Sequence, residues 1–382
     1  MKLHDLLAES AGTPLGALEI TDVTSDSRHV CKGCAFVCIE GTGLDGHDYA
    51  EAAVKKGARV IVANRDTGRE NQIIVSDTRE SYAVMCSAIN GHAHKQLKLI
   101  GVTGTNGKTT VTYLIKAILE CAGFKTGLIG TNQSLIGDES AEAANTTPDA
   151  RALHGLLGSM LAADCEYVVM EVSSHALVQK RVFGLRFDTA VFTNLTQDHL
   201  DYHGTMENYL NAKRRLFEVC DKGVFNYDDR LVRDVMRECQ CECISFSALS
   251  DEADYTAKNI SYRVGGVDFE LVGVGVIGRV HFATPGKFSV YNALAAGVAA
   301  TATGMPFTAA VAALSEVSGV KGRVEIVPTD TDFTVVIDYA HSPDALENVI
   351  STLSNVKKGR LVTLFGCGGD RDREKRPVMA RI

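Results

Sequence analysis

A glycine-rich segment near residue 105 has the composition of a phosphate-binding loop. It follows the apolar run 99–102 and precedes a stretch whose apolar residues recur at helical spacing. Backbone amides at such a strand–loop–helix junction bind phosphate, so a nucleotide is the expected ligand, although Val102 replaces the first glycine of the strict motif. The alternative is a glycine turn beside a surface lysine. The predicted nucleotide contacts are Gly104, Thr105, Asn106, Gly107, Lys108, Thr109 and Thr110.

Polar groups around this loop could hold a metal ion. Lys108 would reach the β- and γ-phosphates, and the Thr109 hydroxyl would bind Mg²⁺. Glu171 ends the apolar run 167–172, where a carboxylate is costly unless it faces a cation or a cleft. His199 lies in 194–203, which has too many polar groups for a simple connection. Alternatively, Glu171 is a carboxylate exposed to water at the end of its strand. His199 could likewise be a solvated histidine or one buried in the core.

The order of apolar runs predicts a three-domain α/β protein. Residues 1–95 indicate a small α/β domain, and 96–323 indicate a central P-loop domain with a parallel sheet and crossover helices. Within the latter, 239–283 is predicted to be more irregular, and 292–314 is predicted to form two packed helices. Residues 324–382 predict strands at 333–338 and 361–365 and a helix from Ser342, which we interpret as the start of a truncated Rossmann-like domain.

Composition narrows the functional classes. A formal net charge of -8 argues against the basic surface that nucleic-acid binding requires. His4 and Asp5 interrupt the apolar core that a secretory signal would need, so we expect a soluble, cytoplasmic protein without a membrane span. The 11 cysteines follow no disulfide framework and predict reduced thiols. The run Cys239, Cys241, Cys243 could suggest zinc, but no partner pair has suitable spacing.

The sequence resembles the Mur ligase family of amide-bond ligases along nearly its whole length. The order and spacing of several segments carry the resemblance, since no single one is decisive. These segments are TSDSR at 24–28, GTNGKTT at 104–110, NTTPD at 145–149, MEVSSHAL at 170–177, DHLDYHG at 198–204, DYAHSPD at 338–344 and GCGGDR at 366–371.

The resemblance implies an ATP-dependent ligase of peptidoglycan synthesis. Segments 146–148 and 173–181 favour the family members that join a free diamino acid, meso-diaminopimelate more often than L-lysine, to the D-Glu of UDP-MurNAc-L-Ala-D-Glu through an acyl phosphate. An acidic protein needs local cations for this anionic substrate, and Arg181 supplies one. The implied substrate contacts are Ser25, Ser27, Thr146, Thr147, Ser173, Gln179, Arg181 and Arg371.

The same resemblance implies the catalytic groups. Lys213 would carry a CO₂-derived carbamate, whose oxygens suit Mg²⁺ better than an ammonium does. On residue properties alone it would be a solvated residue on a helix surface. The implied catalytic residues are Lys108, Glu171, His199 and Lys213, and the implied Mg²⁺ ligands are Thr109, Glu171, His199 and Lys213.

Three later residues would complete the ATP site by the same resemblance. Asn292 would contact adenine, Arg323 the phosphates and Asp338 the ribose. Taken singly, they could instead be a helix cap, a linker charge and a solvated strand-end acid.

Other functions stay open at this point. A sister ligase, or a folylpolyglutamate or cyanophycin synthetase, would share the central loop. A nucleotide-dependent switch or motor would share it too, but would hydrolyse ATP without an acceptor. A binding-only, inactive form is a third alternative. We expect a monomer.

Overall fold

The computed structural model describes residues 1–41, 43–137, 139–141, 145–263, 265–317, 319–367 and 373–382. Within these ranges the chain forms a four-stranded, an eleven-stranded and a two-stranded sheet. No described helix is both long enough and apolar enough to cross a membrane.

The four-stranded sheet precedes the glycine-rich loop. Its strands are parallel and lie in chain order. Strands β2 and β3 are apolar and fully buried, as expected for parallel strands covered on both faces. The third helix begins after Asp77, whose carboxylate accepts N–H groups of the first turn. The elements are α1 Leu3–Leu6, β1 Val23–Thr24, β2 Ala35–Val37, α2 Ala50–Lys55, β3 Val60–Ala63, β4 Gln72–Ile74 and α3 Thr78–Ile89.

The eleven-stranded sheet holds the glycine-rich loop. Its central strands are parallel, and β5 lies between β9 and β10. Ligand sites of open α/β sheets form at the carboxyl ends of such strands. The strands are β5 Lys98–Thr103, β6 Thr126–Ile129, β7 Ser134–Ile136, β8 Glu139–Ala141, β9 Tyr167–Glu171, β10 Phe187–Phe192, β11 Cys220–Asn226, β12 Glu242–Ser247, β13 Tyr255–Arg263, β14 Gly266–Gly273 and β15 Val276–Phe282.

Helices cover both faces of this sheet. On one face α4, α10 and α11 pack into a core with the apolar side chains of β5 and β11, and α10 is buried nearly all round. This confirms the predicted pair of packed helices. The helices are α4 Lys108–Cys121, α5 Ala150–Ala162, α6 Ser174–Val178, α7 Leu200–His203, α8 Met206–Arg214, α9 Arg230–Glu238, α10 Lys287–Ala302 and α11 Phe307–Glu316.

The prediction of irregular structure at 239–283 is wrong. This part of the chain contains β12, and then β13, β14 and β15 form antiparallel hairpins that extend the sheet. In β14, Val267, Phe269 and Leu271 alternate inward and are buried. Glycines and a register shift between Lys258 and Ser261 interrupt the alternation and conceal the strands in the sequence.

In its described residues, the last unit contains two antiparallel strands and two helices. Its elements are β16 Glu325–Val327, β17 Val335–Ile337, α12 Pro343–Val356 and α13 Lys375–Arg381. The predicted strand at 361–365 does not form, because it has no paired neighbour among the described residues and Leu364 is 99% exposed. The helix predicted from Ser342 is confirmed, with the Ser342 hydroxyl capping it. The domain boundaries at 95 and 323 stay predictions.

Candidate functional site

The glycine-rich loop joins β5 to α4, and two of its glycines are required by geometry. Gly104 and Gly107 have φ values of 140° and 88°, which side chains rarely tolerate. A β-carbon on Gly104 would overlap the Thr193 hydroxyl, and one on Gly107 would lie 2.5 Å from Asn292 Oδ1. The loop therefore passes directly over β10 and α10.

Asn194 holds this loop in shape. Its carbonyl accepts the Thr105 N–H at 2.9 Å, and its Oδ1 accepts the Asn106 N–H at 2.9 Å. These two amides are thus engaged within the protein. The first-turn amides of α4, which have no acceptor within a helix, are the donors left for phosphate.

Two lysines converge on one loop carbonyl. Lys108 Nζ donates to the carbonyls of Gly104 at 3.0 Å and Thr105 at 2.9 Å, and Lys213 Nζ donates to that of Gly104 at 2.8 Å. Burial lowers the pKa of both lysines, and the charge of Lys108 lowers that of Lys213 further. The pair favours either an anion beside it or a neutral Lys213 amine.

Lys213 lies inside the protein, contrary to the expectation from its residue type. It is 1% exposed, and its ammonium lies 4.6 Å from the Tyr209 ring centroid on the same helix, α8. Tyr209 also contacts the Thr105 hydroxyl at 3.3 Å. Packing of α8 against the loop therefore overrides the usual preference of lysine for solvent.

Glu171 is buried at the end of β9. Its carboxylate accepts the Thr131 N–H at 2.7 Å and the Thr131 hydroxyl at 3.1 Å. The hydroxyls of Thr131 and Thr146 lie 3.0 Å apart. No cationic side chain of the described residues forms an ion pair with Glu171, and a buried carboxylate of this kind fits a metal cation.

A chain of contacts leads from Glu171 towards the first sheet. The Thr147 hydroxyl donates to the Glu171 carbonyl at 2.8 Å and accepts the Ser173 N–H at 3.0 Å. Arg181 donates to the Thr147 carbonyl at 2.7 Å and, at 2.8 and 3.1 Å, to Gln179 Oε1. Burial lowers the pKa of Arg181, but a guanidinium stays protonated in proteins, so Arg181 remains a cation held in place by these hydrogen bonds.

This chain ends in a small pocket of about 160 Å³ between the first two sheets. Ser25, Gln179 and Arg181, three of the residues predicted to contact the substrate, line it. Ser27 does not, because it lies beside Lys56, which donates to its carbonyl at 2.7 Å. The pocket also contains Ile39, Arg79, Tyr82, Asp149, Ala150 and Lys180.

His199 lies beside the two lysines in a group of aromatic rings. It adopts a left-handed conformation with φ 53°, and its ring stands 4.9 Å from that of His175. Burial lowers the pKa of His199 and lowers that of His175 to about 4. The His203 ring nitrogen contacts the Ser174 hydroxyl at 2.9 Å. These rings are therefore held largely neutral near the loop.

A larger cleft of about 850 Å³ separates the loop from the last unit. Asn106, Gly107 and Thr110 line one side, with the three predicted residues Asn292, Arg323 and Asp338 around them. The Arg323 guanidinium donates to the Thr109 hydroxyl at 2.9 Å and lies over the Tyr339 ring at 5.0 Å.

Asp338 and Asp344 shape the far wall of this cleft. Asp338 accepts the N–H groups of Val324 at 2.9 Å and Ala340 at 2.7 Å, and burial raises its pKa. Asp344 accepts from the Asn106 side chain at 2.8 Å and so joins the last unit to the loop. Arg371 lies outside the described residues.

Sequence reasoning missed Thr131, Tyr209 and Asp344. Tyr209 stands one helical turn before Lys213, and Asp344 ends the segment 338–344, so spacing could have indicated both. Thr131 precedes Glu171 by 40 residues, and no local pattern points to their contact.

The open parallel sheet and the glycine-rich loop at the end of its central strand define a nucleotide-binding type of α/β fold. Three family profiles match the chain: Mur ligase family, catalytic domain (19–103), Mur ligase middle domain (102–300) and Mur ligase, glutamate ligase domain (322–382). The chain belongs to the Mur ligase family. The predictions of family, ligase class and α/β fold are confirmed.

Curated relatives extend this match. A UDP-N-acetylmuramoyl-L-alanyl-D-glutamate–2,6-diaminopimelate ligase from Clostridium botulinum is 43% identical, over 95% of this chain and 77% of the relative. One of the same name from Bacillus velezensis is 43% identical, over 99% of this chain and 79% of the relative.

Solved structures agree. A ligase structure of the same name superposes with a TM-score of 0.83 at 30% identity, covering 100% of this chain and 80% of the other. MurF from Acinetobacter baumannii superposes with a TM-score of 0.69 at 22% identity, and the match covers 93% of this chain and 77% of the MurF chain. It shares the fold.

Proposed function

We propose that this protein joins meso-diaminopimelate to the D-Glu side-chain carboxylate of UDP-MurNAc-L-Ala-D-Glu, using ATP, in cytoplasmic peptidoglycan precursor synthesis. The names of relatives with 43% identity over nearly the whole chain support the substrates. The observation that carries the proposal is the chain of contacts from Arg181 through Thr147 to Glu171, which links the small pocket to the loop strand.

The reaction has two steps. The D-Glu carboxylate attacks the γ-phosphorus of ATP and releases ADP, and the amine then attacks the acyl phosphate carbon and releases phosphate and a proton. Phosphoryl transfer mainly needs placement and charge neutralisation. The first-turn amides of α4, Lys108 and Arg323 supply donors and positive charge around the phosphates. Arg181 and Gln179 orient the anionic acceptor from the small pocket.

The residues present fit Mg²⁺, which supplies charge neutralisation to the phosphates when bound. The Thr109 hydroxyl and the buried Glu171 carboxylate offer oxygen ligands, and His199 lies close to the same loop. A carbamate on Lys213 would offer further oxygens. The strongly lowered pKa of Lys213 favours this modification, because CO₂ reacts with the neutral amine. Activity that falls in CO₂-depleted buffer and returns with bicarbonate would support the carbamate.

The remaining assignments complete the proposal. Asn292 and Asp338 would contact the adenosine of ATP across the large cleft, Ser25 and Ser27 would lie near the uridine diphosphate, and Arg371 would meet the incoming amino acid. We further propose a monomer with domains 1–95, 96–323 and 324–382.

The first test is calorimetric binding of UDP-MurNAc-L-Ala-D-Glu, with UDP-MurNAc-L-Ala as the comparison ligand. We expect clear preference for the dipeptide form, because Arg181 and Gln179 would bind the added D-Glu. Equal affinity for both ligands, or binding of neither to a folded sample, would overturn the substrate assignment.

Turnover then separates the remaining alternatives. A ligase should release ADP only when the UDP-linked acceptor is present, whereas a switch or motor would hydrolyse ATP without it. Replacing the acceptor with a folate would test the folylpolyglutamate alternative. Comparing meso-diaminopimelate with L-lysine, with the product mass as readout, identifies the added amino acid.

A further inference from the structure

The buried carboxylate of Glu171 is enclosed by the turn that follows β6. Strands β6 and β9 are parallel neighbours in which Ile129 pairs with Met170, so the next residues, Gly130 and Glu171, lie side by side. A β-carbon on Gly130 would lie 2.5 Å from Glu171 Oε1. A glycine at this position lets the backbone pass close to the carboxylate. The chain therefore brings Thr131 into direct contact with Glu171.

Thr131 holds both oxygens of this carboxylate. Its backbone N–H donates to Glu171 Oε1 at 2.7 Å, and its hydroxyl donates to Oε2 at 3.1 Å. An ionised carboxylate offers about four lone pairs, and Thr131 engages two of them. Each oxygen therefore keeps the capacity to bind a cation, while the two hydrogen bonds restrict rotation of the carboxylate.

The Thr131 hydroxyl also connects Glu171 to Thr146, one of the residues predicted to contact the acceptor. The two hydroxyl oxygens lie 3.0 Å apart. A hydroxyl has one proton to donate, and an ionised carboxylate can only accept. The Thr131 proton therefore goes to Glu171, and Thr146 donates to Thr131. The three side chains form a directed series of hydrogen bonds that ends at the carboxylate.

Thr126, at the start of β6, shows how a threonine with a purely structural contact differs. It is fully buried, and its hydroxyl donates to the backbone carbonyl of Phe124 at 3.0 Å. The Thr131 hydroxyl instead donates to the carboxylate that fits a metal cation. Hydrogen bonds to metal-binding side chains orient them, and their loss typically costs about 10–100-fold in metal affinity or activity.

We propose that Thr131 is a positioning residue that fixes the Glu171 carboxylate as a ligand for the divalent cation bound with ATP. This role rests on the Mg²⁺–ATP site proposed above. The Thr131 N–H fixes one carboxylate oxygen and its hydroxyl fixes the other, so the carboxylate is already oriented before a cation binds. Thr146 keeps the Thr131 proton directed at Glu171, because it donates to the Thr131 oxygen.

Binding of Mn²⁺, used as the probe for the divalent cation, tests this role without turnover. The full chain is held in excess over a nonhydrolysable ATP analogue, and electron paramagnetic resonance of the free Mn²⁺ gives its dissociation constant. Thr131→Val keeps the backbone N–H and loses the hydroxyl, so we expect this constant to rise about tenfold. Thr131→Ala, which loses the same hydroxyl, should match it. Thr131→Ser should keep the affinity of the unmodified chain.

Two further variants and two measurements delimit the result. Glu171→Gln should weaken Mn²⁺ binding at least as much as Thr131→Val, because it changes the ligand itself. Thr126→Val is the matched control and should bind Mn²⁺ as the unmodified chain does. Circular dichroism checks that each variant is folded, and calorimetry in EDTA should give one nucleotide affinity for all of them. A loss of nucleotide affinity in EDTA for Thr131→Val would indicate a general defect and overturn the positioning role.

Turnover separates this role from the proposed function. High Mg²⁺ should restore the turnover of Thr131→Val, since the Glu171 carboxylate is still present, and should not restore that of Glu171→Gln. Unchanged Mn²⁺ affinity in Thr131→Val, or an equal loss in Thr126→Val, would overturn the role of Thr131 and leave the Mg²⁺–ATP proposal standing. If the unmodified chain with the analogue bound no Mn²⁺, the Mg²⁺–ATP proposal would fail, and the role of Thr131 with it.

Discussion

The two interfaces of the central unit are built differently. Towards the first sheet, Lys180 forms ion pairs with Asp77 at 2.7 Å and Glu80 at 2.5 Å, and Arg151 pairs with Asp22 at 2.6 Å. Towards the last unit, the contacts include hydrogen bonds from the Asn106 and Thr196 side chains to Asp344 beside the large cleft. We call these the first joint and the second joint.

This difference indicates a division of labour. The first joint is fixed by charge pairs around a small pocket, so the acceptor site proposed there is largely preformed. The second joint turns at Val324, whose φ of 47° is a strained value for a β-branched residue. Strain at a connection between units suits a hinge, and closure of the last unit over the nucleotide would use it.

Lys213 lies at the loop between the joints, and its loss should have the largest effect. We expect Lys213→Met to lower kcat roughly 10³-fold, as loss of one transition-state stabilising group does, while both ligands still bind. Steady-state turnover and calorimetry measure the two effects. Lys222→Met is the matched control, because Lys222 also donates to a backbone carbonyl, that of Ala302 at 2.9 Å. Equal losses in both variants would contradict a special role for Lys213.

The first joint should weaken in acid through His154. This residue is 1% exposed, its Nε2 has no hydrogen-bond partner, and its ring lies 5.6 Å from that of His94. Burial, followed by the charges of His94 and His92, lowers its pKa to about 4. The unfolded chain then binds more protons between pH about 6.5 and 4, so the free energy of unfolding falls as the pH falls through this window.

The size of this effect can be isolated with one variant. His154 should contribute roughly 3 kcal/mol to the loss of unfolding free energy between pH 7 and 4. Denaturant unfolding of the protein and of His154→Gln at both pH values gives the difference, which cancels the contributions of His175 and other histidines. The same pH dependence in both proteins would show that His154 does not cause it.

Lys180 should affect the acceptor and leave the nucleotide unaffected. Its left-handed backbone, φ 56°, places Gln179 and Arg181 on either side of it, and its ion pairs attach this turn to α3. We expect Lys180→Met to raise the KM for the UDP-linked acceptor roughly fivefold, since partly exposed pairs contribute about 1 kcal/mol. The KM for ATP should not change.

Two further variants separate the effect of the Lys180 ion pairs from the effect of its left-handed backbone. Lys180→Gly keeps the left-handed conformation but loses the ion pairs, so it should match Lys180→Met. Lys55→Met removes a surface pair with Glu51, 2.8 Å apart, in the same part of the chain and should have no effect. A rise in both KM values would indicate a general loss of structure instead of a positioning role.

Sequence predicts the parts of this site that local pattern determines. The loop and Glu171 at a strand end follow from motifs whose residues are close in the chain, whereas Gln179 and Arg181 are implied by the family resemblance. The burial of Lys213 does not, because it depends on α8 packing against a carbonyl 109 residues away. For the same reason the hairpins at 255–282 and the unpaired run at 361–365 were predicted wrongly, since pairing partners decide both.

Asp344 tests the second joint, with the smallest expected effect. Its carboxylate holds the Asn106 side chain at 2.8 Å and lines the cleft proposed for the nucleotide. A carboxylate there repels the phosphates of ATP, and it competes with them for the Asn106 side chain of the loop. Asp344→Ala should therefore tighten ATP binding about twofold, a gain limited by solvent screening and by loss of a favourable charge in the first turn of α12.

Calorimetry of ATP and of the UDP-linked acceptor with this variant distinguishes the joints. The acceptor affinity should not change, because the first joint shares no contact with Asp344 among the described residues. Glu347→Ala, an exposed acid on the same helix, is the control and should leave both affinities unchanged. If Asp344→Ala weakened ATP binding, the contact between Asp344 and Asn106 would support the nucleotide site. The second joint would then be largely preformed, as the first joint is.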